Sequence, residues 1–545
     1  MATSVAAPPR GAAAVAPAPR TGAGRGTRRL LLTTVQRPLG VDSDTCTPNI
    51  QAEMYHAQVT RAQGLFSIRS PCTGWGLDFM AANLETPTTV LHFPTERAFV
   101  RELKRGYDYV GIGFVNCTFP KAVRLCELAR RVAPATKIIL GGYGTVLREC
   151  DQYADYVCRE EGVNYLKRLL GEPEVETFRI PHIARTLRVM TVTARRENIL
   201  VAGLGCSRGC DFCCTSHFFD RTQVPLIKSG RELHQAMLDV EHGGASYRNV
   251  GVIDEDFLAD RGRIDEMIPL NRAVVDKPIL FSCLTSLGSL AQYTTEELLA
   301  MGLSGAWVGI ESRLARYGKL TGLDAKALFD GYRGVGLVML TSMIVGLDGH
   351  DEANLEEDFQ YLLSLRPCFS QFMIYSPCPQ TPLYTRMQRE RRLLPVPLKY
   401  HDGFHALIIH PNFSSVRLEA LVQELFRREY EELGPSVLRV AEVQLEGYRT
   451  LSGRTEPHLV ARAREYRNLC LETYPLFGLA IRKAPSEKVR RWARELREKV
   501  EATFRIPASA RVKAGLVPAL AVYAALRERL QPNPQPKSEV HRYRN

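Results

Sequence analysis

The sequence predicts an α/β protein in three parts: a doubly wound parallel sheet, a full or partial β/α barrel of the TIM type, and a mainly helical carboxyl-terminal extension. Two series of short apolar runs, each alternating with amphipathic helical stretches, predict the two sheets. A loop rich in cysteine separates the two series, and beyond about residue 400 the pattern becomes helical and basic. A chain of 545 residues is too long for a single hydrophobic core, which agrees with this division.

The first series follows a basic segment, 1–28, which has no acidic residue and almost nothing to bury, so we expect that segment to be disordered. It predicts a domain over 29–172. Its apolar runs are at 29–35, 88–94, 107–115 and 136–144, with helical periodicity at 121–132. In sheets of this kind ligands lie at the carboxyl ends of the strands, and the pair Gly141–Gly142 follows one such end.

The second series occupies 196–400 and is reached through a predicted linker, 173–195. Its apolar runs are at 247–258, 277–286, 305–312, 336–349 and 369–379. Five or six β/α units predict a full or partial barrel, with its active site at the carboxyl ends of the strands. A helical domain, 401–530, and a polar tail, 531–545, complete the predicted organisation.

Composition and charge restrict the classes of function. The net charge is +12 and the apolar fraction is 45%, which fits a globular protein with anionic partners. No nucleic-acid-binding module accompanies the basic residues, so no specific nucleic-acid partner is expected. No run approaches the roughly 18 consecutive apolar residues of a membrane span. Most of the fourteen cysteines lie singly, which favours a reducing, cytoplasmic location over a disulfide scaffold.

The loop 203–214, GLGCSRGCDFCC, crowds four cysteines into nine positions. Three of them have C-x3-C-x2-C spacing, on a loop whose glycines allow it to curl: Cys206, Cys210 and Cys213. Three thiolates suit an iron–sulfur cluster with one open iron. Structural zinc normally takes four ligands and would need Cys214 or His217 as the fourth. The pattern therefore favours a cluster, and zinc is the alternative.

With Phe212 before its last cysteine, and at the opening of a predicted barrel, this motif resembles the signature of the radical S-adenosylmethionine (SAM) family. The resemblance implies that the three cysteines bind a 4Fe-4S cluster whose open iron chelates SAM, with Phe212 beside the cofactor. One electron then cleaves SAM to methionine and a 5′-deoxyadenosyl radical. Cys214 has no counterpart in the C-x3-C-x2-C signature of the family.

Later segments extend the resemblance. Where the family has a glycine–glycine–glutamate motif, this chain has Val252-Ile253-Asp254-Glu255-Asp256-Phe257, and a carboxylate there implies contact with the SAM amino group. The sequence does not single out Asp254, Glu255 or Asp256. Gln380 replaces the glycine usual in a later loop, which predicts a different loop shape. The other implied SAM-contacting residues are Ser282, Thr285 and Glu311.

The first series is similar to the cobalamin (B12)-binding domain fused to many radical SAM enzymes, those of the class B-type methylase branch. The resemblance implies a cobalamin cofactor, and the residues implied to contact it are Asn116, Thr118, Gly141 and Gly142. The family's axial histidine motif, D-x-H-x-x-G, is missing, and His92 lies within a predicted strand. The sequence therefore leaves two alternatives: cobalamin binds without a protein histidine, or the pocket is vestigial.

The resemblance implies a radical SAM methyltransferase that methylates an unactivated carbon and receives electrons from a donor such as flavodoxin or ferredoxin. The segment 511–530 has an apolar face flanked by Arg and Lys, which is typical either of a helix packed on the body of the enzyme or of a helix in peripheral contact with the inner face of the membrane. Because some members of the family modify lipids, the resemblance implies a small-molecule or lipid substrate. One alternative is cobalamin-independent radical formation or rearrangement of carbon–carbon bonds. Another is a non-catalytic cobalamin or iron–sulfur sensor.

Overall fold

The computed structural model describes residues 28–39, 54–70, 74–190, 192–240, 248–274, 277–313, 322–531 and 535–544. Apart from Arg28, the segment predicted to be disordered lies outside the described residues. The strands, in chain order, are β1 (Leu30–Thr34), β2 (Ile68–Arg69), β3 (Thr88–His92), β4 (Tyr109–Gly113), β5 (Lys137–Gly141), β6 (Tyr156–Val157), β7 (Ile183–Val189), β8 (Val192–Val201), β9 (Gly203–Leu204), β10 (Val224–Pro225), β11 (Arg248–Ile253), β12 (Ile279–Thr285), β13 (Leu303–Glu311), β14 (Val338–Val345), β15 (Phe369–Ile374) and β16 (Glu539–Tyr543).

Helices alternate with the strands until β15 and then dominate. They are α1 (Met54–Gln58), α2 (Trp75–Ala82), α3 (Glu96–Leu103), α4 (Phe119–Val132), α5 (Gly162–Leu170), α6 (Cys214–Phe218), α7 (Gly230–Leu238), α8 (Arg261–Arg272), α9 (Leu287–Leu290), α10 (Thr295–Ala300), α11 (Ala325–Gly334), α12 (Glu352–Ser364), α13 (Pro382–Arg389), α14 (Ser415–Leu433), α15 (Ser436–Leu451), α16 (Pro457–Thr473), α17 (Phe477–Arg482), α18 (Glu487–Thr503) and α19 (Ala508–Leu530).

The amino-terminal sheet has the strand order β16-β3-β1-β4-β5-β6, in which all strands except β16 run parallel. Successive residues of β1 face opposite sides, as a strand requires. Leu31 packs in a core with α3 and α4, whereas Leu30 and Leu32 pack in a second core with α2 and α5. Helices therefore cover both faces, and the predicted doubly wound sheet is confirmed. The chain changes its winding direction between β1 and β4, which is where such sheets bind ligands.

The second sheet has the order β15-β14-β13-β12-β11-β8-β7-β2. Six parallel strands, β8 and β11 to β15, form a curved sheet whose first strand leads into the cysteine loop. Strands β7 and β2 add antiparallel pairs beyond β8. Because β15 and β2 are the two edges and do not pair with each other, the barrel is partial, one of the two forms that the sequence predicts.

The structure differs from the predicted organisation at two segments. The predicted linker, 173–195, contains β7 and the start of β8, which form an antiparallel hairpin. Both strands of this hairpin are rich in Arg and Thr, so their sequences lack the alternation of apolar and polar residues that identifies a strand. Within the predicted polar tail, 531–545, β16 pairs antiparallel with β3. An edge strand forms where a partner offers unpaired backbone groups, so its own side chains need not be apolar.

Candidate active site

The three cysteines of the C-x3-C-x2-C motif follow β9, are partly exposed and form no disulfide. Two glycines make the curl of their loop possible. Gly205 and Gly209 have φ of 72° and 70°, in the left-handed region that glycine favours. A Cβ on Gly205 would lie 2.3 Å from the carbonyl oxygen of Thr222, so no larger residue fits there.

Backbone and hydroxyl contacts fix this loop. The Ser216 hydroxyl donates to the Cys206 carbonyl oxygen at 2.6 Å and accepts from the Gly209 amide at 3.1 Å. The amide of Cys213 donates to the carbonyl oxygen of Cys210 at 3.0 Å. The loop therefore keeps its shape without bonds between its sulfur atoms, as a binding loop for an inserted cluster requires.

The donor set fits an iron–sulfur cluster better than a single zinc ion. Tetrahedral zinc, with bonds of about 2.3 Å, holds its thiolates about 3.8 Å apart. Among the described residues, the only three candidate ligands that approach within 4.8 Å of one another lie elsewhere, at Asp78, His92 and His541. Both candidates for a fourth zinc ligand have another partner: the Nε2 of His217 lies 3.1 Å from the carbonyl oxygen of Cys210, and the Cys214 thiol contacts Cys378.

Two of the three acids after β11 already have strong partners. Asp254 accepts hydrogen bonds from Arg263 at 3.2 Å and from Gln223 at 2.9 Å. Asp256 accepts from the Thr285 hydroxyl at 2.9 Å and also pairs with Arg208 of the cysteine loop. These carboxylates connect the cysteine loop to the strand ends and hold the site together.

Glu255 differs from its neighbours. It lines a large cavity, and its one hydrogen-bond partner among the described residues is the Tyr143 hydroxyl, which donates to it at 3.4 Å. Burial, with a smaller contribution from the negative charge of Asp254, raises the pKa of Glu255 to about 7. Of the three acids, Glu255 is therefore the one available to a ligand.

The other residues predicted to contact SAM are spread around this strand end. Ser282 lines the cavity and donates to Glu197 at 3.2 Å. Glu311 ends β13 buried, in the left-handed region with φ of 61°, where the ladder to β14 is irregular. Phe212 packs against the ring of Tyr375, 6.1 Å between centroids. Residues predicted at this site that do not line the cavity are Cys206, Cys210, Cys213, Phe212, Asp256, Thr285 and Glu311.

The cavity has a volume of about 1430 Å³ and connects the two sheets. One end lies over the carboxyl ends of β1, β4 and β5, and the cavity continues through the interior of the partial barrel. It passes Gly203 and Leu204, just before the cysteine loop, and Phe218 and Phe219, just after it. Sites for a single small ligand measure roughly 300–1,000 Å³, so this cavity has room for more than one ligand.

Glycines form the wall of the cavity over the amino-terminal sheet. Gly141 and Gly142 line it, as do Gly111 and Gly113 of β4. Gly142 has φ of 91°, and a Cβ there would lie 2.6 Å from the carbonyl oxygen of Phe114. These residues let a flat ligand approach the backbone at the point where the winding direction of the sheet changes.

The two polar residues predicted for the same site do not line the cavity. Thr118 bonds within its own turn, to the carbonyl oxygen of Val115 at 3.0 Å, and Asn116 donates to the Cys378 sulfur at 3.3 Å. His92 is buried, and its Nε2 lies 2.9 Å from Asp78. No histidine among the described residues lines the cavity.

Side chains that join the two domains include Tyr143, which sequence reasoning missed, and Gln380, which it singled out only for the shape of its loop. Tyr143 packs edge-on against Phe218, with centroids 5.2 Å apart. Gln380 keeps a left-handed conformation, φ of 68°, of the kind that glycine favours, and its side chain donates to the Val146 carbonyl oxygen at 2.8 Å. The position of Tyr143 directly after the glycine pair was the signal that could have identified it.

A second missed group lies inside the barrel. Arg185 donates to Glu197 at 2.6 Å and to the Tyr55 hydroxyl at 3.2 Å, and all three line the cavity. Arg185 belongs to the segment predicted as a linker, so nothing in the sequence pattern pointed to it.

No protein-family model matches the sequence, and no curated protein matches it. Two solved structures of TsrM from Kitasatospora setae, a radical SAM methyltransferase, are similar to it. The one with tryptophan substrate and the SAM analogue aza-SAM is 14% identical, with a TM-score of 0.50, and covers 88% of this chain and 100% of that chain. The one with cobalamin and a 4Fe-4S cluster is 13% identical, with a TM-score of 0.47, and covers 81% of this chain and 100% of that chain. The first similarity confirms the predicted fold class.

Proposed function

We propose that this protein is a cytoplasmic radical SAM methyltransferase that binds a 4Fe-4S cluster, SAM and cobalamin and methylates an unactivated carbon. A small electron-transfer protein such as flavodoxin or ferredoxin would supply the electrons. The observation that carries the proposal is the single cavity, which borders the cysteine loop, passes Glu255 and ends over the glycine wall of the amino-terminal sheet. Two cofactors and a substrate could meet within it.

Two regions beside the cavity each have residues suited to one cofactor. Cys206, Cys210 and Cys213 would hold the cluster. The carboxylate of Glu255 would accept a hydrogen bond from the SAM amino group, while Asp256 and Arg208 keep the loop and the strand end in register. When bound, the cluster with SAM supplies a radical for hydrogen abstraction, and cobalamin supplies a methyl carrier. The protein supplies orientation and an enclosed site.

The corrin ring would lie over Gly141, Gly142 and the end of β4, without a histidine from the protein. Tyr143 would then separate the two cofactor regions, because it belongs to the amino-terminal domain and contacts two residues of the barrel domain, packing on Phe218 and donating to Glu255. Burial raises the pKa of Tyr143, so this hydroxyl stays protonated and acts as a hydrogen-bond donor.

The walls of the cavity inside the barrel favour a substrate with a hydrocarbon part, and a lipid is the form that we propose. Apolar side chains dominate the interior of the barrel, among them Val201, Leu226, Leu284, Trp307 and Leu340. The bonded group of Tyr55, Arg185 and Glu197 is the main polar feature there. It would orient one polar group of a substrate that is otherwise apolar.

The test is anaerobic reconstitution with iron, sulfide and hydroxocobalamin, followed by desalting and quantification of iron and corrinoid. Reduced protein is then incubated with SAM, and 5′-deoxyadenosine is measured. We expect nearly one corrinoid per chain, together with SAM cleavage. SAM cleavage without retained corrinoid would instead support cobalamin-independent radical chemistry. A loaded cluster that produces no 5′-deoxyadenosine would contradict an enzymatic function and support a sensor.

A further inference from the structure

Helix α19 carries two apolar stripes. One stripe, Ala510, Val517, Ala521 and Ala524, is buried in the carboxyl-terminal core. The other stripe faces solvent, with its members three or four residues apart, as one face of a helix requires. The solvent-facing stripe is Val512, Leu516, Ala519, Tyr523, Leu526 and Leu530. Its larger members are between 55% and 80% exposed.

Basic residues border the solvent-facing stripe on both sides. At 100° per residue, Arg511 and Arg529 lie along one border, and Lys513 and Arg527 along the other, and all four are exposed. Glu528 is the only acidic residue of the helix, and Arg69 pairs with it. An exposed apolar stripe between two basic borders is the arrangement of helices that lie in the interface of an anionic membrane.

The stripe also adjoins the cavity. Leu516 belongs to the stripe and lines the cavity, and Lys513, Val517 and Leu520 line it from the same helix. Opposite them, Val192 at the tip of the β7–β8 hairpin lines the cavity and is 49% exposed. The cavity thus reaches the surface between α19 and this hairpin, at the amino-terminal end of the barrel strands. The cysteine loop lies at the other end of those strands.

Helix α19 would lie along a membrane and not cross it. Among the described helices it alone is long and apolar enough for a span, with a mean hydropathy of 1.2. Its buried stripe, however, packs against α17 and the turn Tyr474–Leu476, so one whole face belongs to the protein core. Pro518 also interrupts the helical hydrogen bonding near its middle.

We propose that the solvent-facing stripe of α19 docks the protein on an anionic lipid surface and that a lipid chain enters the cavity from that surface, between α19 and the β7–β8 hairpin. The substrate class is then a membrane lipid held at the interface. This inference rests on the proposed function for the chemistry inside the cavity, but the docking itself depends on neither cofactor.

Flotation of the full chain with vesicles tests the docking. Vesicles of phosphatidylcholine alone are compared with vesicles that also contain anionic phosphatidylglycerol. We expect binding to the anionic vesicles that weakens as salt is added. The double variant Leu526→Glu/Leu530→Glu should bind at least about tenfold more weakly, because it places charges on side chains that would otherwise be buried in lipid. Neither residue lines the cavity, so SAM cleavage by this variant should equal that of the parent.

The matched control is Val416→Glu, which changes a 79% exposed apolar side chain on α14 and should leave binding unchanged. The variant Arg511→Gln/Arg529→Gln should weaken binding and its salt dependence together. Absence of binding, equal binding to neutral vesicles, or an equal loss in the control would overturn the proposal. So would a dimer that the leucine variant dissociates, because a second copy would then cover the stripe. Failure of SAM cleavage in the parent would overturn the proposed function and leave the docking result standing.

Discussion

The two regions of the candidate site, at the barrel and at the amino-terminal sheet, are built in opposite ways. At the barrel end, charged and polar side chains hold one another: Arg208 pairs with Asp256, and Arg263 with Asp254. At the amino-terminal sheet the wall is made of backbone, because Gly141 and Gly142 have no side chains to place there. The barrel region offers side chains that can bind a ligand, whereas the amino-terminal sheet offers a backbone surface on which a flat ligand can lie. Removing side-chain groups should therefore impair the barrel region, and adding side-chain groups should impair the glycine wall.

The largest effect should come from the cysteine loop. Replacing Cys206, Cys210 or Cys213 by alanine removes one of three thiolates, so the cluster iron and the production of 5′-deoxyadenosine should both fall below a hundredth of the parent values, since the cofactors carry the hard chemistry. Iron analysis and product quantification measure this. Cys214→Ala, one residue beyond the motif, is the matched control and should keep its cluster. An intact cluster in all three variants would show that the motif does not bind it.

The next effect should come from adding one methyl group at the glycine wall. In Gly142→Ala the new Cβ would lie 2.6 Å from the Phe114 carbonyl oxygen, at a φ that alanine disfavours. We expect a loss of about 1–3 kcal/mol in stability and at least tenfold weaker retention of corrinoid, while the cluster still loads. Gly106→Ala is the control, because Gly106 has φ of 81° but nothing within 4 Å. If both variants retain corrinoid equally, the close approach at Gly142 has no role in binding.

The same contrast explains what the sequence could predict. Residue type and spacing identify the cysteine loop and the β-branched runs in the sequence, so the 203–214 loop and both sheets were predictable. Asp254, Glu255 and Asp256 are three adjacent acids, and only their partners in the fold distinguish them. The β7–β8 hairpin and β16 were missed because their pairing depends on the backbone of neighbouring strands and not on their own apolar residues. For α19 the sequence predicted the apolar face and the basic flanks, but not that the helix carries two apolar stripes.

A moderate effect is expected at Glu255. Its pKa of about 7 means that the carboxylate forms as the pH rises through neutrality. SAM affinity should therefore increase about tenfold between pH 6 and 7.5, and Glu255→Gln should remove this increase. A folded pKa above the unfolded value destabilises the protein once the pH exceeds the unfolded value. Glu255→Gln should thus be more stable than the parent by about 1–3 kcal/mol at pH 8, and by little at pH 4.

Equilibrium dialysis measures the SAM affinity of the parent and of Glu255→Gln at each pH. Unfolding by denaturant measures their stabilities. Glu160→Gln is the control, because Glu160 lines the cavity at its other end. An unchanged pH dependence in Glu255→Gln would assign the SAM contact to another residue.

The smallest effect should come from Gln380, where the amino-terminal sheet meets the barrel. Gln380→Ala keeps the left-handed backbone strain and loses the hydrogen bond to the Val146 carbonyl oxygen, so it should cost about 0.5–1.5 kcal/mol. Gln380→Gly loses the same bond but removes about 1–2 kcal/mol of left-handed strain, offset by about 0.5–1 kcal/mol for the greater freedom of glycine in the unfolded chain, so its stability should lie between those of the alanine variant and the parent. Thermal unfolding of the parent and the two variants in one buffer gives the order of their stabilities. If glycine is as destabilising as alanine, relief of backbone strain contributes no net stability at this loop, and the lost hydrogen bond accounts for the effect of both substitutions.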